Sequence, residues 1–123
     1  MHQVLIIDDD PALLAITRLV LKAYIPNILI HAVTSTQQVF DILANHPIKA
    51  MSSDLNMPEM SGLDLLTRVR RSYPQLPVML VSGDFDSTTL ADANKIGVDY
   101  CLLKNGSTQD MVKAFTQLLN SNA

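Results

Sequence analysis

Short apolar runs alternate with longer segments whose apolar residues recur every three to four positions, and this alternation constrains the fold more than any other feature. The apolar runs lie at residues 4–7, 28–33, 48–53, 78–81 and 98–103. Apolar and polar residues do not alternate within the runs, which is typical of strands buried on both faces of a sheet. Because strands joined through a helix are parallel, the sequence predicts an α/β fold whose parallel sheet carries helices on both faces.

Each predicted strand is followed by an amphipathic helix whose limits are marked by capping residues and prolines. Asp10 suits the N-cap of the first helix, Pro11 suits its first position, and Pro26 ends it. The other helix limits are predicted at Ser35 or Thr36, Pro47, Leu63, Pro74, Thr88, Gly97 and Ser107. The tail at 120–123 is expected to fray. The chain therefore reads as five strand–helix units.

The composition fits one globular domain over residues 1–123, of which 48% are hydrophobic. The single cysteine, Cys101, excludes an internal disulfide and a cysteine-based zinc finger. A net charge of −3 gives no basic footprint for nucleic acid or an anionic membrane surface. No apolar run approaches the roughly 20 residues of a membrane span, and no signal peptide is visible. We therefore expect a cytoplasmic protein.

The residues directly after the strands are the candidates for a functional site, because open parallel sheets bind ligands at the carboxyl ends of their strands. They are Asp8 and Asp9 after the first strand, Asp54 after the third, Ser82 after the fourth and Lys104 after the fifth. If the second strand lies at the edge and the other four are neighbours, three carboxylates, one hydroxyl and one ammonium converge on one pocket.

Three carboxylates in one small site repel one another and require compensating charge. Like charges about 4 Å apart cost on the order of 4 kcal/mol at an effective dielectric constant of about 20. Lys104 offsets one charge, and Mg²⁺, which binds carboxylates together with waters and phosphate oxygens, offsets two more. A site of this kind suits a phosphoryl group, since a carboxylate can act as the nucleophile while the cations neutralise the phosphoryl oxygens.

The sequence resembles the receiver domain of two-component response regulators over nearly its whole length. The resemblance rests on VLIIDDDP at 4–11, DLNMPEMSGL at 54–63, VMLVSG at 78–83 and the stretch from Gly97-Val98-Asp99 to Lys104. It implies a flavodoxin-like, doubly wound fold. In that fold a five-stranded parallel sheet has the strand order 2-1-3-4-5 and is flanked by five helices.

The resemblance also implies a role for each candidate residue. Asp54 would be the phosphoacceptor and a Mg²⁺ ligand. Asp9 would be a direct Mg²⁺ ligand, Asp8 a direct or water-mediated ligand, and the backbone carbonyl of Asn56 the third protein ligand. The Ser82 hydroxyl would contact the phosphoryl group, and Lys104 would be its counter-ion. The implied donor is a phosphohistidine on a sensor histidine kinase or a histidine phosphotransfer protein. The implied output is a changed binding surface for an output domain or target protein, and a dimer of the phosphorylated form is allowed. The resemblance therefore implies that the domain is not an enzyme and that it only hydrolyses its own phosphoryl group slowly.

Three departures from the family pattern concern the readout of phosphorylation. Asn105 follows Lys104, where the family usually has a proline after a cis peptide bond. A cis bond before a non-proline residue costs about 2.5–4 kcal/mol, so the bond between Lys104 and Asn105 is expected to be trans. Cys101 stands where the family has a Tyr or Phe that moves inward on phosphorylation. Tyr100, one residue earlier, should point to the opposite face of the strand. The pair at 52–53 places two serine hydroxyls in a strand that the family keeps apolar.

Two other functions stay open at this point. The departures are compatible with a pseudo-receiver that only binds partner proteins. A haloacid-dehalogenase-type phosphohydrolase would use the same aspartyl-phosphate chemistry, with the Asp-x-Asp pattern of Asp8 and Asp10 after the first strand. The phosphohydrolase hypothesis gives Asp54 no role, and 123 residues leave no room for the additional cap domain of such an enzyme.

Overall fold

Five strands form one parallel sheet in the computed structural model, which describes residues 1–121. The strands are β1 (His2–Ile7), β2 (Ile28–Val33), β3 (Ala50–Asp54), β4 (Val78–Ser82) and β5 (Tyr100–Leu103). They are arranged in the order β2-β1-β3-β4-β5, and all four pairings are parallel. The predicted strand order is therefore confirmed, and all five strands end at the same edge of the sheet.

Five α-helices cover the two faces of this sheet. They are α1 (Pro11–Tyr24), α2 (Val39–Asn45), α3 (Gly62–Ser72), α4 (Ser87–Ile96) and α5 (Thr108–Asn120), and a short 3-10 helix (Thr36–Gln38) precedes α2. Helices α1 and α5 pack on one face, while α2, α3 and α4 pack on the other. Within residues 1–121, none of the helices combines the length and apolar character of a membrane-crossing segment.

Strand β1 shows why the apolar runs do not alternate with polar residues. Its last four residues are buried, with Val4 and Ile6 in the layer under α1 and α5 and with Leu5 and Ile7 in the layer under α2, α3 and α4. Successive side chains of a strand point to opposite faces, so a sheet covered on both faces needs an apolar residue at every position. The core is accordingly divided into two layers by the sheet.

Capping residues mark the start of α1, the start of α5 and the end of α4 where the sequence predicts, whereas α4 begins at Ser87 after an Asp86 cap and α2 begins at Val39 after the 3-10 helix. The Asp10 side chain accepts hydrogen bonds from the backbone N–H groups at the start of α1. Ser107 and Asp110 form a reciprocal capping box at the start of α5. Gly97 has a φ of 81°, a left-handed conformation that closes α4 and that glycine adopts without steric cost. Asn120 is the last residue of α5, and the part of the predicted frayed tail at 122–123 lies outside the described residues.

Strands β3 and β5 begin two residues later than predicted, because local hydrogen bonds capture the residues before them. The Val98 N–H donates to the carbonyl of Ala93 at 3.0 Å and so belongs to the end of α4. The Ile48 N–H donates to the carbonyl of His46 at 2.9 Å. Neither residue differs in apolar character from the strand that follows, so the pattern of apolar residues does not mark the boundary.

Arg70, in the last turn of α3, joins two loops at the edge of the sheet where the strands begin. Its guanidinium group donates to the carbonyls of Leu76 at 2.6 Å and Pro74 at 3.0 Å, and to the carbonyl of Gly97 at 2.6 Å. It also lies 3.3 Å from a carboxylate oxygen of Asp99. One side chain thus connects the turn before β4 to the turn before β5.

Replacing Arg70 with methionine is expected to lower the free energy of unfolding by about 2–3 kcal/mol, because carbonyls that lose a charged donor keep their desolvation cost. Urea unfolding monitored by circular dichroism measures this change. The control is Arg71→Met on the same helix, where the side chain is exposed and a change within about 0.5 kcal/mol is expected. Equal losses in the two variants would show that the loop contacts do not stabilise the protein.

Candidate functional site

Three aspartates meet at the edge where the strands end. Strands β1 and β3 are neighbours with Ile7 opposite Ser53, so the next residues, Asp8 and Asp54, also lie side by side. Asp8, Asp9 and Asp54 each offer a carboxylate oxygen, and these oxygens lie within 4.8 Å of one another. Asp8 and Asp54 are only 6% and 3% exposed, whereas Asp9 faces solvent. The cluster is therefore buried on one side and accessible on the other.

Lys104 supplies a positive charge to this cluster. Its ammonium nitrogen lies 3.1 Å from a carboxylate oxygen of Asp54 and 3.3 Å from one of Asp8. The Lys104 backbone N–H also donates to the carbonyl of Ser82 at 2.8 Å, which holds the residue just beyond the end of β5. A residue 50 positions from Asp54 along the chain is thus part of the same site, as the sequence predicts.

Burial and neighbouring charges shift the pKa values of Asp54 and Lys104 in the folded chain. Burial raises the pKa of Asp54, and the charge of Asp8 raises it further, so that the hydrogen bond from Lys104 only partly restores it. Burial lowers the pKa of Lys104, but its hydrogen bonds to the two carboxylates and their charges outweigh burial and raise that pKa overall. A further positive charge at this edge would therefore favour the ionised form of Asp54.

Ser82 is a buried hydroxyl without a partner. It ends β4, between the strands that carry Asp54 and Lys104, and it is 1% exposed. Among residues 1–121, it has the only buried side-chain oxygen or nitrogen atom that makes no hydrogen bond. Leaving such a group unsatisfied costs about 1–3 kcal/mol. An oxygen-rich ligand bound at this edge would satisfy the hydroxyl.

Asn56 is the second residue of the loop at 55–61, which connects β3 to α3. Its backbone N–H donates to a carboxylate oxygen of Asp54 at 3.4 Å. Its backbone nitrogen is therefore close to the cluster, and the carbonyl of the same residue is a further oxygen that a hard cation could use. Carboxylate and carbonyl oxygens are the donors that Mg²⁺ prefers, so the residues at this edge fit that ion.

Gly62 brings the start of α3 against the end of β3. Its N–H donates to the carbonyl of Leu55 at 2.8 Å. A Cβ atom at this position would overlap the carbonyl oxygen of Asp54 and lie 2.9 Å from the Ser53 hydroxyl. The absence of a side chain thus permits the contact that fixes the backbone of the central aspartate. Ser61, directly before it, caps the helix by accepting from the Asp64 N–H.

The structure also resolves the departures at the sheet edge. Cys101 packs in the layer of α2, α3 and α4, whereas Tyr100 packs in the layer of α1 and α5, which confirms that the two side chains face opposite sides of the sheet. The described peptide bonds, including the one between Lys104 and Asn105, are trans. The buried Ser53 hydroxyl donates to the carbonyl of Asp54 at 3.0 Å, so this polar group has a partner within its own strand.

Glu59 is a residue of this region that sequence reasoning missed. Its carboxylate accepts hydrogen bonds from Ser35 and Thr36, across 23 and 24 residues of chain. The sequence indicates Ser35 and Thr36 as helix caps only. The available signal is that Glu59 is the single glutamate of a chain that otherwise uses aspartate. This signal singles out Glu59 but does not predict which residues it contacts.

The doubly wound sheet with an acidic carboxyl edge defines a flavodoxin-like α/β protein. Within that class, the family model described as the response regulator receiver domain matches residues 4–116. The chain belongs to this family, which is a component of two-component signalling. Receiver domains typically accept a phosphoryl group rather than catalyse the turnover of a substrate.

The relatives found by sequence are regulators of different lengths. The chain is 28% identical to the glycerol metabolism activator of Pseudomonas putida over 123 residues, which cover 99% of this chain and 56% of that protein. It is 36% identical to a putative NtrX-like response regulator of Rickettsia bellii over 79% of this chain and 20% of the relative. It is 28% identical to a CheY homologue of Campylobacter jejuni, a chemotaxis protein, over 70% of this chain and 68% of the homologue.

Solved structures share the fold at lower identity. A CheY-like receiver domain protein from Methanospirillum hungatei superimposes with a TM-score of 0.87 at 21% identity, over 99% of this chain and 96% of the other. The receiver domain of an HD-domain protein from Pseudomonas fluorescens gives a TM-score of 0.88 at 24% identity, over 98% and 88% of the two chains. These likenesses show the fold of the chain.

Proposed function

We propose that this domain is the phosphoacceptor module of a two-component phosphorelay. Asp54 takes a phosphoryl group from the phosphohistidine of a sensor histidine kinase or a histidine phosphotransfer protein. The observation that carries the proposal is the position of Asp54, which the fold brings into one cluster with Asp8, Asp9 and Lys104 although 45 or more residues separate it from each of them.

In the proposed reaction, a carboxylate oxygen of Asp54 attacks the phosphorus atom. The bond between phosphorus and the donor imidazole nitrogen breaks, and its electron pair stays with the imidazole. The Lys104 ammonium, which is already paired with Asp54, follows as counter-ion to the phosphoryl oxygens. The buried Ser82 hydroxyl, which makes no hydrogen bond to residues 1–121, donates to one of those oxygens.

The metal ligands in this proposal are the carboxylates of Asp8, Asp9 and Asp54 together with the backbone carbonyl of Asn56. A bound Mg²⁺ would supply charge neutralisation for the carboxylates and the phosphoryl oxygens. The cluster of three oxygens and the raised pKa of Asp54, due first to burial, support such a site.

Intact mass spectrometry after incubation with acetyl phosphate and Mg²⁺ tests the proposal. The wild-type chain is expected to gain one phosphoryl group, and Asp54→Asn is expected to gain none, because the variant lacks the nucleophilic oxygen. Asp64→Asn is the control, since it removes an exposed carboxylate on α3 and should leave the gain intact. A phosphoryl gain that persists in Asp54→Asn would refute the assignment of the acceptor.

The proposed output is a change in the surface that the domain presents to a target protein or a further domain of the same regulator. The relatives that are longer than this chain are compatible with either arrangement. No direct contact of this domain with nucleic acid is proposed, and its net charge of −3 agrees with that. The proposed compartment is the cytoplasm, where the implied phosphohistidine donors would meet the domain.

A pseudo-receiver is the second candidate, and Cys101 and the bond between Lys104 and Asn105 favour it, because neither follows the family pattern. It would bind partners without accepting a phosphoryl group. A ligand present at 100 times its dissociation constant stabilises a folded protein by about 2.7 kcal/mol. No phosphoryl gain together with no rise in melting temperature on adding Mg²⁺ would therefore favour the pseudo-receiver.

The phosphohydrolase reading draws no support from Asp10. One carboxylate oxygen of Asp10 accepts from the N–H groups of Ala12 and Leu13, as expected for a helix cap rather than for a general acid. A phosphatase assay with Asp8→Asn as the control distinguishes this enzyme from a phosphoacceptor.

A further inference from the structure

We propose that Glu59 is a positioning residue for the loop at 55–61, and that it holds this loop in the arrangement that binds the metal. The proposal rests on the proposed function, because it assumes that the Asn56 carbonyl and the aspartate cluster bind Mg²⁺. It assigns to Glu59 no contact with the metal itself.

One oxygen of the Glu59 carboxylate, Oε2, accepts three hydrogen bonds from the connection between β2 and α2. The Thr36 hydroxyl donates at 2.5 Å, the Thr36 backbone N–H at 3.2 Å and the Ser35 hydroxyl at 3.3 Å. Hydrogen bonds to an ionised acceptor are roughly twice as strong as neutral ones. The link is therefore a specific contact, although Glu59 itself is exposed.

The Glu59 link is what ties the middle of the loop to its surroundings by hydrogen bonds. The ends of the loop are held by the Leu55 N–H, which donates to the carbonyl of Val81 at 2.8 Å, and by the Gly62 N–H, which donates to the carbonyl of Leu55 at 2.8 Å. Between these ends, the hydrogen bonds of residues 57–60 in the described chain are all accepted by the Glu59 carboxylate. Met57 and Met60 add only apolar packing.

The link joins the connections that follow the two neighbours of β1 in the sheet. Strand β1 lies between β2 and β3, so the β3–α3 loop and the β2–α2 connection leave the sheet on either side of β1, which is followed by Asp8 and Asp9. Asn56 lies three residues before Glu59, and Pro58 between them restricts the backbone. Fixing Glu59 therefore limits the orientations of the Asn56 peptide unit before any metal arrives. Preorganised ligands bind more tightly, because less ordering is left to the binding step.

The dissociation constant for Mg²⁺, measured by calorimetry well below each variant's melting temperature, tests this role. Glu59→Ala is expected to weaken binding about ten-fold, the lower end of the range for residues that orient metal ligands. Glu59→Gln keeps an acceptor oxygen and is expected to lie between Glu59→Ala and wild type. Thr36→Val removes the donating hydroxyl at nearly constant volume and is also expected to weaken binding. The double variant Glu59→Ala/Thr36→Val is expected to bind no more weakly than Glu59→Ala alone, because the two residues act through one contact.

Asp64→Asn is the matched control, because it removes one negative charge from an exposed residue near the same loop without breaking the link. A dissociation constant that is equal for Glu59→Ala and Asp64→Asn would overturn the positioning role. A lowered melting temperature with unchanged Mg²⁺ affinity would do the same, since it would mark a merely structural contact. If the wild-type chain itself binds no Mg²⁺, both this inference and the proposed metal site fail. Wild-type binding with unaffected Glu59 variants overturns the inference alone.

Discussion

Gly62→Ala is expected to lower the free energy of unfolding by about 3 kcal/mol, the upper part of the range for overpacked positions. The added Cβ would overlap the carbonyl oxygen of Asp54, which is backbone and cannot rotate away. The Ser53 hydroxyl, 2.9 Å from the Cβ position, would have to move as well. Because β3 is buried along its whole length, the strain cannot be relieved by shifting the strand toward solvent. The start of α3 must therefore move away from the site.

This displacement has a second consequence that a loss of stability alone would not give. Moving the start of α3 also moves the loop at 55–61, so Gly62→Ala is expected to weaken Mg²⁺ binding in the fraction that stays folded. Urea unfolding measures the first effect and calorimetry at low temperature measures the second.

Gly83→Ala is the matched control for this prediction. No atom lies within 4 Å of the Cβ position at residue 83, and its backbone is not in the left-handed region. The free energy of unfolding is therefore expected to change by less than about 1 kcal/mol. Similar losses in the two alanine variants would mean that the close approach at Gly62 does not govern stability.

The sequence predicts the parallel sheet and the residues of its acidic edge from patterns that repeat along the chain, whereas the strand order is implied by the resemblance to receiver domains. Five apolar runs separated by amphipathic helices define a parallel sheet, and the residues after the runs then share one edge. Asp54 and Lys104 could be grouped in this way although they are far apart in the chain. The exact starts of β3 and β5 could not be predicted, because the Val98 and Ile48 hydrogen bonds compete locally with strand pairing.

Glu59 illustrates the part of the site that sequence patterns do not reach. Its partners, Ser35 and Thr36, lie in a different loop, and no periodicity relates two irregular segments. Gly62 is also beyond the reach of sequence patterns, because a glycine after a serine is equally typical of an ordinary helix start. Glu59 acts through a side-chain contact between two loops and Gly62 through the close approach of two backbones, and both are properties of the packed fold. Predicting them requires coordinates.

In the absence of metal, removing the positive charge of Lys104 and removing the negative charge of Asp54 are expected to change the free energy of unfolding in opposite directions. Lys104→Met is expected to lower the free energy of unfolding by about 3 kcal/mol, because it leaves the buried carboxylates of Asp8 and Asp54 without their charge partner. Lys113→Met, on the exposed side of α5, is the control and should change stability by no more than about 0.5 kcal/mol.

Asp54→Asn is expected to raise the free energy of unfolding at pH 7 by on the order of 1 kcal/mol, since the cost of burying the ionised carboxylate, together with the repulsion from Asp8, exceeds the lost attraction to Lys104. The sign follows from the raised pKa of Asp54, which burial causes first. A carboxyl whose pKa is raised on folding binds its proton more readily in the folded state, so its ionised form destabilises the fold above that pKa. As the pH falls through the raised pKa toward the ordinary value, the advantage of the asparagine variant should disappear.

Urea unfolding in EDTA at a series of pH values measures both changes, and repeating it with Mg²⁺ separates charge balance from packing. Mg²⁺ is expected to stabilise the wild type more than Asp54→Asn, which has lost a ligand, and to recover part of the stability lost in Lys104→Met, because the ion replaces the missing positive charge. If both variants were destabilised equally and Mg²⁺ changed neither, packing and not charge would govern this edge, and the residues there would have no electrostatic reason to recruit a metal.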